Sequence, residues 1–316
     1  MPDEIVYDLD ELAEFIEKDK EAIVAFYGGE ATLKPDLIKK MIDTLPAKKF
    51  VLQTNGFFVE KLDSYIHKLD SILLSIDGRK EITDFYRCAG CYDRVMNALQ
   101  FLRKNSFKGE IIARMAASYK TDIYKDVVHL LQHFPYVHWQ LDVVWSNLWH
   151  LEQFKEWAEE SYKPGIKKLT KLWIKNIENG RILGIVPFLG IMSRILHGGK
   201  DLPCQAGREA IAIATDGRIM ACPIAPDFEW NILGDFKKYK RIEIGEPCKS
   251  CNVYNICGGR CLFAYKERLW GEEGFNEICN VTKFLIEELR KYKEKCMELK
   301  EKIRYPPYNN TTEIIP

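Results

Sequence analysis

The 316-residue sequence carries no excess charge of either sign: 46 lysines and arginines stand against 46 aspartates and glutamates. That balance gives no basic face for nucleic acid and no acidic, solvated tail. Long apolar runs are also missing. The longest, Ile182 to Met192, is interrupted by Pro187 and is too short to cross a bilayer. The opening MPDEIVYDLDELAEF is acidic, with no basic stretch ahead of an apolar one, so no secretory signal is expected. These absences read as a cytoplasmic protein with neither a nucleic-acid nor a membrane partner. Histidine is scarce, at six residues, and none stands at ligand spacing from a cysteine. His129 and His133 are i and i+4 on a helix but lack the glutamate of a zinc-protease motif, so they read as packing or surface residues.

Cysteine is absent before residue 88 and then concentrated. Seven of the ten cysteines fall within residues 204–279: Cys204, Cys222, Cys248, Cys251, Cys257, Cys261 and Cys279. The central four read C-x2-C-x5-C-x3-C. Short spacings let neighbouring thiolates reach one centre, and soft thiolates select zinc or iron–sulfur clusters over oxygen-seeking ions. A reducing cytosol favours metal ligation over disulfides. Seven ligands are one short of two closed sets of four. Structural zinc wants four-coordinate sites, whereas an iron–sulfur cluster tolerates an open or non-cysteine position, so the odd count leans toward iron with zinc as the alternative. The pair Cys88-x2-Cys91 supplies only two thiolates in a loop leading into a helix; it reads as incidental, with an extra metal site as the alternative. Cys296, on a charged helix, reads as a stray.

Up to about residue 200, helical and strand patterns alternate. Helices are expected at Asp8–Lys18, Pro35–Leu45, Val59–Leu69, Tyr92–Lys104, Tyr124–Phe134 and Leu151–Ile177. Strands are expected at Ala22–Tyr27, Phe50–Gln53, Ser71–Ile76, Glu110–Met115 and Val137–Val143. The strands are apolar throughout rather than alternating, which argues for parallel strands covered by helices, in a barrel or a doubly wound sheet. Beyond residue 203 the pattern changes. Ala210–Thr215 and Arg218–Cys222 flank Asp216-Gly217, a signal for a hairpin with a type I′ turn. The cysteine run follows, then an amphipathic helix over Val281–Arg304 and an irregular tail. Asn309 and Asn310 with Thr311 and Thr312 match glycosylation acceptors only formally. Trp139, Trp145 and Trp149 read as core aromatics, with a substrate groove as the alternative.

The order of these features resembles the radical S-adenosylmethionine (SAM) enzymes that carry a SPASM domain and modify peptides and proteins. The cysteine pattern, from Cys204 through Gly217-x4-Cys222 and the central run to Cys279, carries the resemblance, and Phe26-Tyr27-Gly28-Gly29-Glu30 at the end of the first strand supports it. The family implies a partial (β/α)6 barrel over residues 1–200, a SPASM domain over 201–304 with a β-hairpin and a C-terminal helix, and a tail over 305–316. It implies two auxiliary [4Fe–4S] clusters, one on Cys204, Cys222 and Cys261 and the other on Cys248, Cys251, Cys257 and Cys279. The eighth ligand would be substrate, solvent or another residue. SAM would be held by Gly28, Gly29 and Glu30, whose carboxylate pairs with the methionyl ammonium, and by Thr54, Asn55, Ser75, Asp77 and Arg114 at further strand ends. Asn-Gly and Asp-Gly are ordinary turn formers as well, so each polar residue has a structural reading beside the ligand one. Arg114 is the most specific, because a guanidinium takes a carboxylate bidentately.

Two departures qualify what the resemblance implies. Ala31 stands where the family has proline. Nothing like its C-x3-C-x2-C motif, which binds the catalytic cluster, precedes Gly28, so the sheet is expected without its first strand, and a third [4Fe–4S] cluster only with an upstream segment. The implied function is side-chain modification through a 5′-deoxyadenosyl radical, with a peptide or protein substrate and an electron donor such as a flavodoxin or ferredoxin. Pro223 follows Cys222 where sulfatase-maturating members carry an acidic base, although Asp227 lies close by; that favours a maturase of ribosomally made peptides. The alternative is a non-catalytic iron–sulfur electron carrier or peptide-binding scaffold. No catalytic residue is assigned.

Overall fold

The computed structural model describes residues 1–143, 147–199, 202–304 and 314–316. Trp145 and the Asn309–Thr312 acceptors lie outside them. Two compact units form, each from several segments. One holds Met1–Ser75, Gly90–Ile112 and Gln205–Glu243, and the other Ile76–Ala89, Ala113–Cys204 and Ile244–Pro316.

The main sheet has six strands: β1 (Ile23–Phe26), β2 (Lys49–Thr54), β3 (Ser71–Ser75), β4 (Glu110–Ala117), β5 (Tyr136–Leu141) and β6 (Gly184–Ile185), in the order β1-β2-β3-β4-β5-β6. The pairs β1/β2, β2/β3 and β5/β6 are parallel. Strand order that follows chain order never reverses, which separates this winding from a doubly wound sheet with its switch point. It is the progression of a (β/α) barrel, here without closure between the outer strands. All five expected strands are present. The sixth lies inside the apolar run around Pro187, which is a two-residue strand followed by a helix with Pro187 in its first turn, where a missing N–H costs nothing.

The helices are α1 (Leu9–Glu17), α2 (Pro35–Thr44), α3 (Lys80–Tyr86), α4 (Cys91–Lys104), α5 (Ile123–Leu131), α6 (Leu151–Trp157), α7 (Lys163–Glu178), α8 (Val186–His197), α9 (Tyr254–Cys257), α10 (Leu262–Glu267), α11 (Gly271–Arg290) and α12 (Lys293–Met297). Asp8 caps α1 by accepting from the Asp10 amide at 3.0 Å. Three expectations need correction. The stretch Val59–Lys68 is 3-10 helical and broken at Asp63, whose φ is 49°. The single helix expected over 151–177 is α6 and α7 joined by a π turn at Ala158–Tyr162. The C-terminal helix starts ten residues early, at Gly271, and gives way at Arg290 to the short α12.

In the first unit, β7 (Ala212–Ile213), β8 (Ile219–Met220) and β9 (Ile232–Gly234) form a small antiparallel sheet. The β7–β8 turn differs from type I′. Gly217 alone takes a positive φ, 85°, and its N–H donates to the Ala214 carbonyl at 3.0 Å. This is the three-residue hairpin in which a left-handed glycine follows a type I turn, so Asp216 is spared a positive φ. The N-terminal segment packs on this hairpin: the Val6 amide donates to the Thr215 carbonyl at 3.0 Å, and Tyr7 and Phe15 lie 5.2 Å and 5.3 Å from the Phe236 ring.

In the second unit, Trp139 is fully buried and donates from Nε1 to the Tyr162 hydroxyl at 3.2 Å, while Trp149 packs on Phe154, Trp157 and Trp270. His129 and His133 pack ring against ring at 5.1 Å. Cys296, read as a stray, is wholly buried, and burial pushes its thiol up to about 11. Among the described residues no helix is long and apolar enough to cross a membrane.

Candidate functional site

Glu30 stands just past the end of β1, where it caps a single 3-10 turn, Ala31–Leu33. Its Oε1 accepts from the Thr32 amide at 2.9 Å, the Thr32 hydroxyl at 2.5 Å and the Thr54 hydroxyl at 2.7 Å, and its Oε2 accepts from the Asn55 amide at 2.6 Å. The carboxylate therefore ties the β1 end to the β2 end and does not sit free in solvent. Asn55 is itself fixed, its Oδ1 accepting from the Phe57 amide at 3.0 Å. Around Gly28 and Gly29 a side chain would meet nothing within 4 Å. Neither carries a positive φ. What these glycines provide is open space, which lets a ligand approach the backbone beside Glu30. Thr32 is fully buried, and sequence reasoning missed it; the only signal was its place two residues after a capping acid.

Ser75 ends β3, and it is buried. In the second unit Asp77 is 2% exposed, and both its oxygens are engaged. Arg87 reaches them from Nη2 and Nε at 2.8 Å and 2.7 Å, and the Ala116 amide adds 2.9 Å. Asp77 thus has a firm structural role, and Arg87, which sequence reasoning overlooked, is its counter-ion. The next residue, Gly78, has φ 131°, and a Cβ there would come within 2.6 Å of the Asp126 carboxyl. That carboxyl, wholly buried on α5, accepts from the Arg79 amide and Nε at 3.0 Å and 2.8 Å. Arg114, on β4, is half-buried and donates from Nη2 to Gln140.

The cysteines fall into both units. Cys222 follows β8 in the first unit, and Asn231, fully buried, clamps its loop. The Cys222 amide donates to Asn231 Oδ1 at 2.8 Å, while Asn231 Nδ2 donates to the carbonyls of Cys222 and Ala225, each at 2.8 Å. No sequence pattern announced Asn231. In the second unit Cys204 is half-buried, and the buried Cys261 precedes α10.

Cys248, Cys251, Cys257 and Cys279 all belong to the second unit and act on one another. Burial pushes the Cys248 thiol up to about 12, with Cys279, Cys257 and Cys251 pushing the same way. Burial likewise takes Cys257 to about 11, against the Gly259 amide, which bonds to its sulfur and lowers it; Cys279 adds to the rise. Cys279, midway along α11, is raised by burial and eased back by Arg260 and Lys283. The family resemblance implied these four as its second ligand set. Among the described residues, no three histidine, cysteine, aspartate or glutamate side chains converge at metal-ligand distance. The donor set, four soft thiols within one compact unit, suits a thiolate-bound cluster. Cys88 and Cys91, read from the sequence as incidental or as an extra metal site, are each disulfide-bonded.

Residues 1–133 match the family model described as the Radical SAM superfamily. The likeness to that superfamily is carried by these first 133 residues. It is 24% identical over 288 residues to a cysteine-type anaerobic sulfatase-maturating enzyme of Clostridium novyi (strain NT), covering 78% of this chain and 75% of that protein. A protein of the same description from Clostridium perfringens (strain 13 / Type A) is 23% identical over 309 residues, covering 86% and 82%. In fold, the chain matches the solved structure of native anSMEcpe with bound AdoMet and Cp18Cys peptide at a TM-score of 0.68, with 18% identity over 96% of this chain and 92% of that one. At that identity the likeness speaks for fold alone. The resemblance to radical SAM proteins with a SPASM domain, read first from cysteine spacing, therefore holds.

Proposed function

We propose that this chain takes part in radical SAM modification of a peptide or protein side chain, binding SAM at Glu30 and holding two auxiliary [4Fe–4S] clusters on its seven clustered cysteines. The observation that carries the reading is the Glu30 carboxylate. Three donors occupy Oε1 and one occupies Oε2, so Oε2 keeps acceptor capacity for a ligand ammonium, beside two glycines with open space over them. Because those donors hold the charge in place before any ligand arrives, little ordering is left for binding to cost. Gly28 and Gly29 would let SAM lie against the backbone, and Thr54, Asn55, Ser75, Asp77 and Arg114 are its further proposed contacts, with Asp77 acting through the strand end it fixes. Bound SAM supplies, on one-electron reduction, a radical able to take hydrogen from a side chain.

Cys248, Cys251, Cys257 and Cys279 would hold one auxiliary cluster, and Cys204, Cys222 and Cys261 the other. Residues 1–200 are read as the SAM-binding domain and 201–304 as the auxiliary domain, in a reducing cytoplasm with a flavodoxin or ferredoxin as donor. The relatives support a peptide or protein substrate. Pro223 after Cys222, with Asp227 exposed, supports a substrate other than a sulfatase.

A non-catalytic iron–sulfur carrier or peptide scaffold is the second reading. Anaerobically purified protein should contain iron with equimolar acid-labile sulfide and should bind SAM; stoichiometric zinc without sulfide would sink both readings. Formation of 5′-deoxyadenosine under dithionite then separates them, its presence selecting the enzyme and its absence the carrier.

A further inference from the structure

The charge balance of the whole chain is not kept along α7. The residues of this helix that face solvent are Lys167, Lys168, Lys171 and Lys175, with Glu178 at its end. Glu178 is taken by Lys295, and the half-buried Lys163 pairs with Glu159. Among the described residues none of the four solvent-facing lysines pairs with a carboxylate. Other helices neutralise such positions within a turn, as Lys80 does with Asp84, Lys125 with Asp122 and Arg290 with Glu287. On α7 the spacing is the reverse. Lys163, Lys167, Lys171 and Lys175 follow one another four residues apart, which sets like charges side by side and weakens the helix. Such a face is kept at a cost to the fold, and it complements an anionic surface.

What the face adjoins narrows the class of partner. Lys155 on α6 reaches Glu273 at 2.5 Å, Lys163 and Lys167 lie over the Phe284 ring at 5.7 Å and 5.6 Å, and Glu178 reaches Lys295. These contacts advance together along both segments, so α7 and α11 run parallel. Phe284 is five residues beyond Cys279 on α11, about 7.5 Å along the axis. The lysine face therefore begins beside the stretch of α11 that carries a proposed cluster ligand.

We propose that the lysine face of α7 docks a small acidic protein that carries single electrons and delivers them to the group held by Cys248, Cys251, Cys257 and Cys279. This rests on the iron–sulfur reading of the four-thiol site. One electron leaves the reduced carrier and enters the oxidised cluster, and no bond forms or breaks. Attraction between the two surfaces speeds and orients their encounter, and it weakens as salt screens it.

The test uses the full chain, reconstituted anaerobically with iron and sulfide, with a flavodoxin and a ferredoxin as probes. Association kinetics are measured at several salt concentrations, and electron delivery by stopped-flow bleaching of the cluster. Wild type should bind at least one probe, more slowly as salt rises. In Lys167→Gln/Lys171→Gln/Lys175→Gln, association and bleaching by the carrier should slow about tenfold and lose most of their salt dependence, while dithionite still reduces the cluster in full. Glutamine is as good a helix former as lysine, so the fold is not at stake. The matching triple arginine variant keeps the charge and should associate as wild type does. Lys237→Gln/Lys238→Gln/Lys240→Gln, exposed in the first unit, changes net charge equally and should leave association unaltered. Equal slowing in both glutamine triples, or none in the first, overturns the proposal, as does failure of both carriers to bind wild type. Duplex DNA bound more tightly than either carrier would overturn it in favour of a general polyanion site. If wild type takes up no iron with equimolar sulfide, the cluster reading itself has failed, and electron delivery falls with it.

Discussion

At Glu30 the donors that meet the carboxylate, two amides and two hydroxyls, are already in place in the bare protein. At Cys248 and Cys257 the opposite holds, since burial keeps the thiols protonated and neighbouring thiols push the same way. The first locus is finished by the fold, the second only by what it binds. The contrast follows from the groups themselves. A carboxylate is anionic at neutral pH and attracts N–H and O–H groups as the chain folds. A cluster of cysteines offers weak donors that repel once ionised, so its geometry waits for a cation, and binding energy becomes folding energy.

If that contrast is right, the largest effect of a single substitution falls on the thiol locus. Cys251→Ala removes a half-exposed side chain with few packing contacts to lose, yet one of four proposed ligands. Iron should fall by about four per chain, one [4Fe–4S] centre, with a lowered melting temperature for the iron-loaded protein and little change without iron. Colorimetric iron and sulfide assays beside thermal melts check this. Cys88→Ser is the matched control and should keep its iron; equal loss in both variants would reassign the ligands.

Asn231→Ala should come next, because the buried amide meets Cys222 and Ala225 through three hydrogen bonds of 2.8 Å each. Truncation strands an amide and two carbonyls, a cost of about 3 kcal/mol in denaturant unfolding. Asn231 is also a link between the two kinds of locus, a preformed polar clamp that sets the loop carrying a proposed metal ligand. If Asn231→Ala leaves stability unchanged but lowers iron content, the clamp serves Cys222 more than the fold.

Much of this molecule was legible in its sequence. The strands β1 to β5 announce themselves by short apolar runs, and residues 23–26, 49–54, 71–75, 110–117 and 136–141 fall within a residue or two of where those runs lie. The cysteine pattern carried the family resemblance, and that resemblance supplied the proposed set Cys248, Cys251, Cys257 and Cys279. What stayed hidden has a different cause. Asn231 and Arg87 act over separations in sequence that no local period encodes, through contacts made only after folding. The misread turn at Asp216-Gly217 shows the same limit at short range: the dipeptide suits either hairpin, and the strand register chose the one with a single left-handed residue. The run around Pro187 was read as broken because proline ends strands and helix interiors alike, yet at a helix start it fits.

On the preformed side, Glu30→Ala should weaken SAM binding by roughly 10- to 150-fold, the equivalent of about 1.5–3 kcal/mol for a lost charge-assisted contact. Isothermal titration with SAM reads this directly. Glu30→Gln sharpens it, because the amide keeps the shape but loses the charge and cannot accept at both positions. If Glu30→Gln binds SAM as tightly as wild type, the carboxylate serves only to tie β1 to β2, and the ammonium is held elsewhere.

The smallest expected effect tests whether that tie is what prepares the site. Thr54, 2% exposed, donates to Glu30 Oε1 at 2.7 Å and accepts from the Gly56 amide at 3.0 Å. Thr54→Val conserves volume and β-branching at the end of β2 while removing both hydrogen bonds, so packing barely changes. The loss should be about 1 kcal/mol, seen as roughly five-fold weaker SAM binding, with stability lowered by a similar amount. The carboxylate remains in this variant, and only the order imposed on it is reduced, so any loss of affinity measures preorganisation alone. Unchanged affinity alongside lowered stability would mean that the remaining donors, from Thr32 and Asn55, suffice to aim the charge, and that Thr54 contributes to the strand rather than to the ligand.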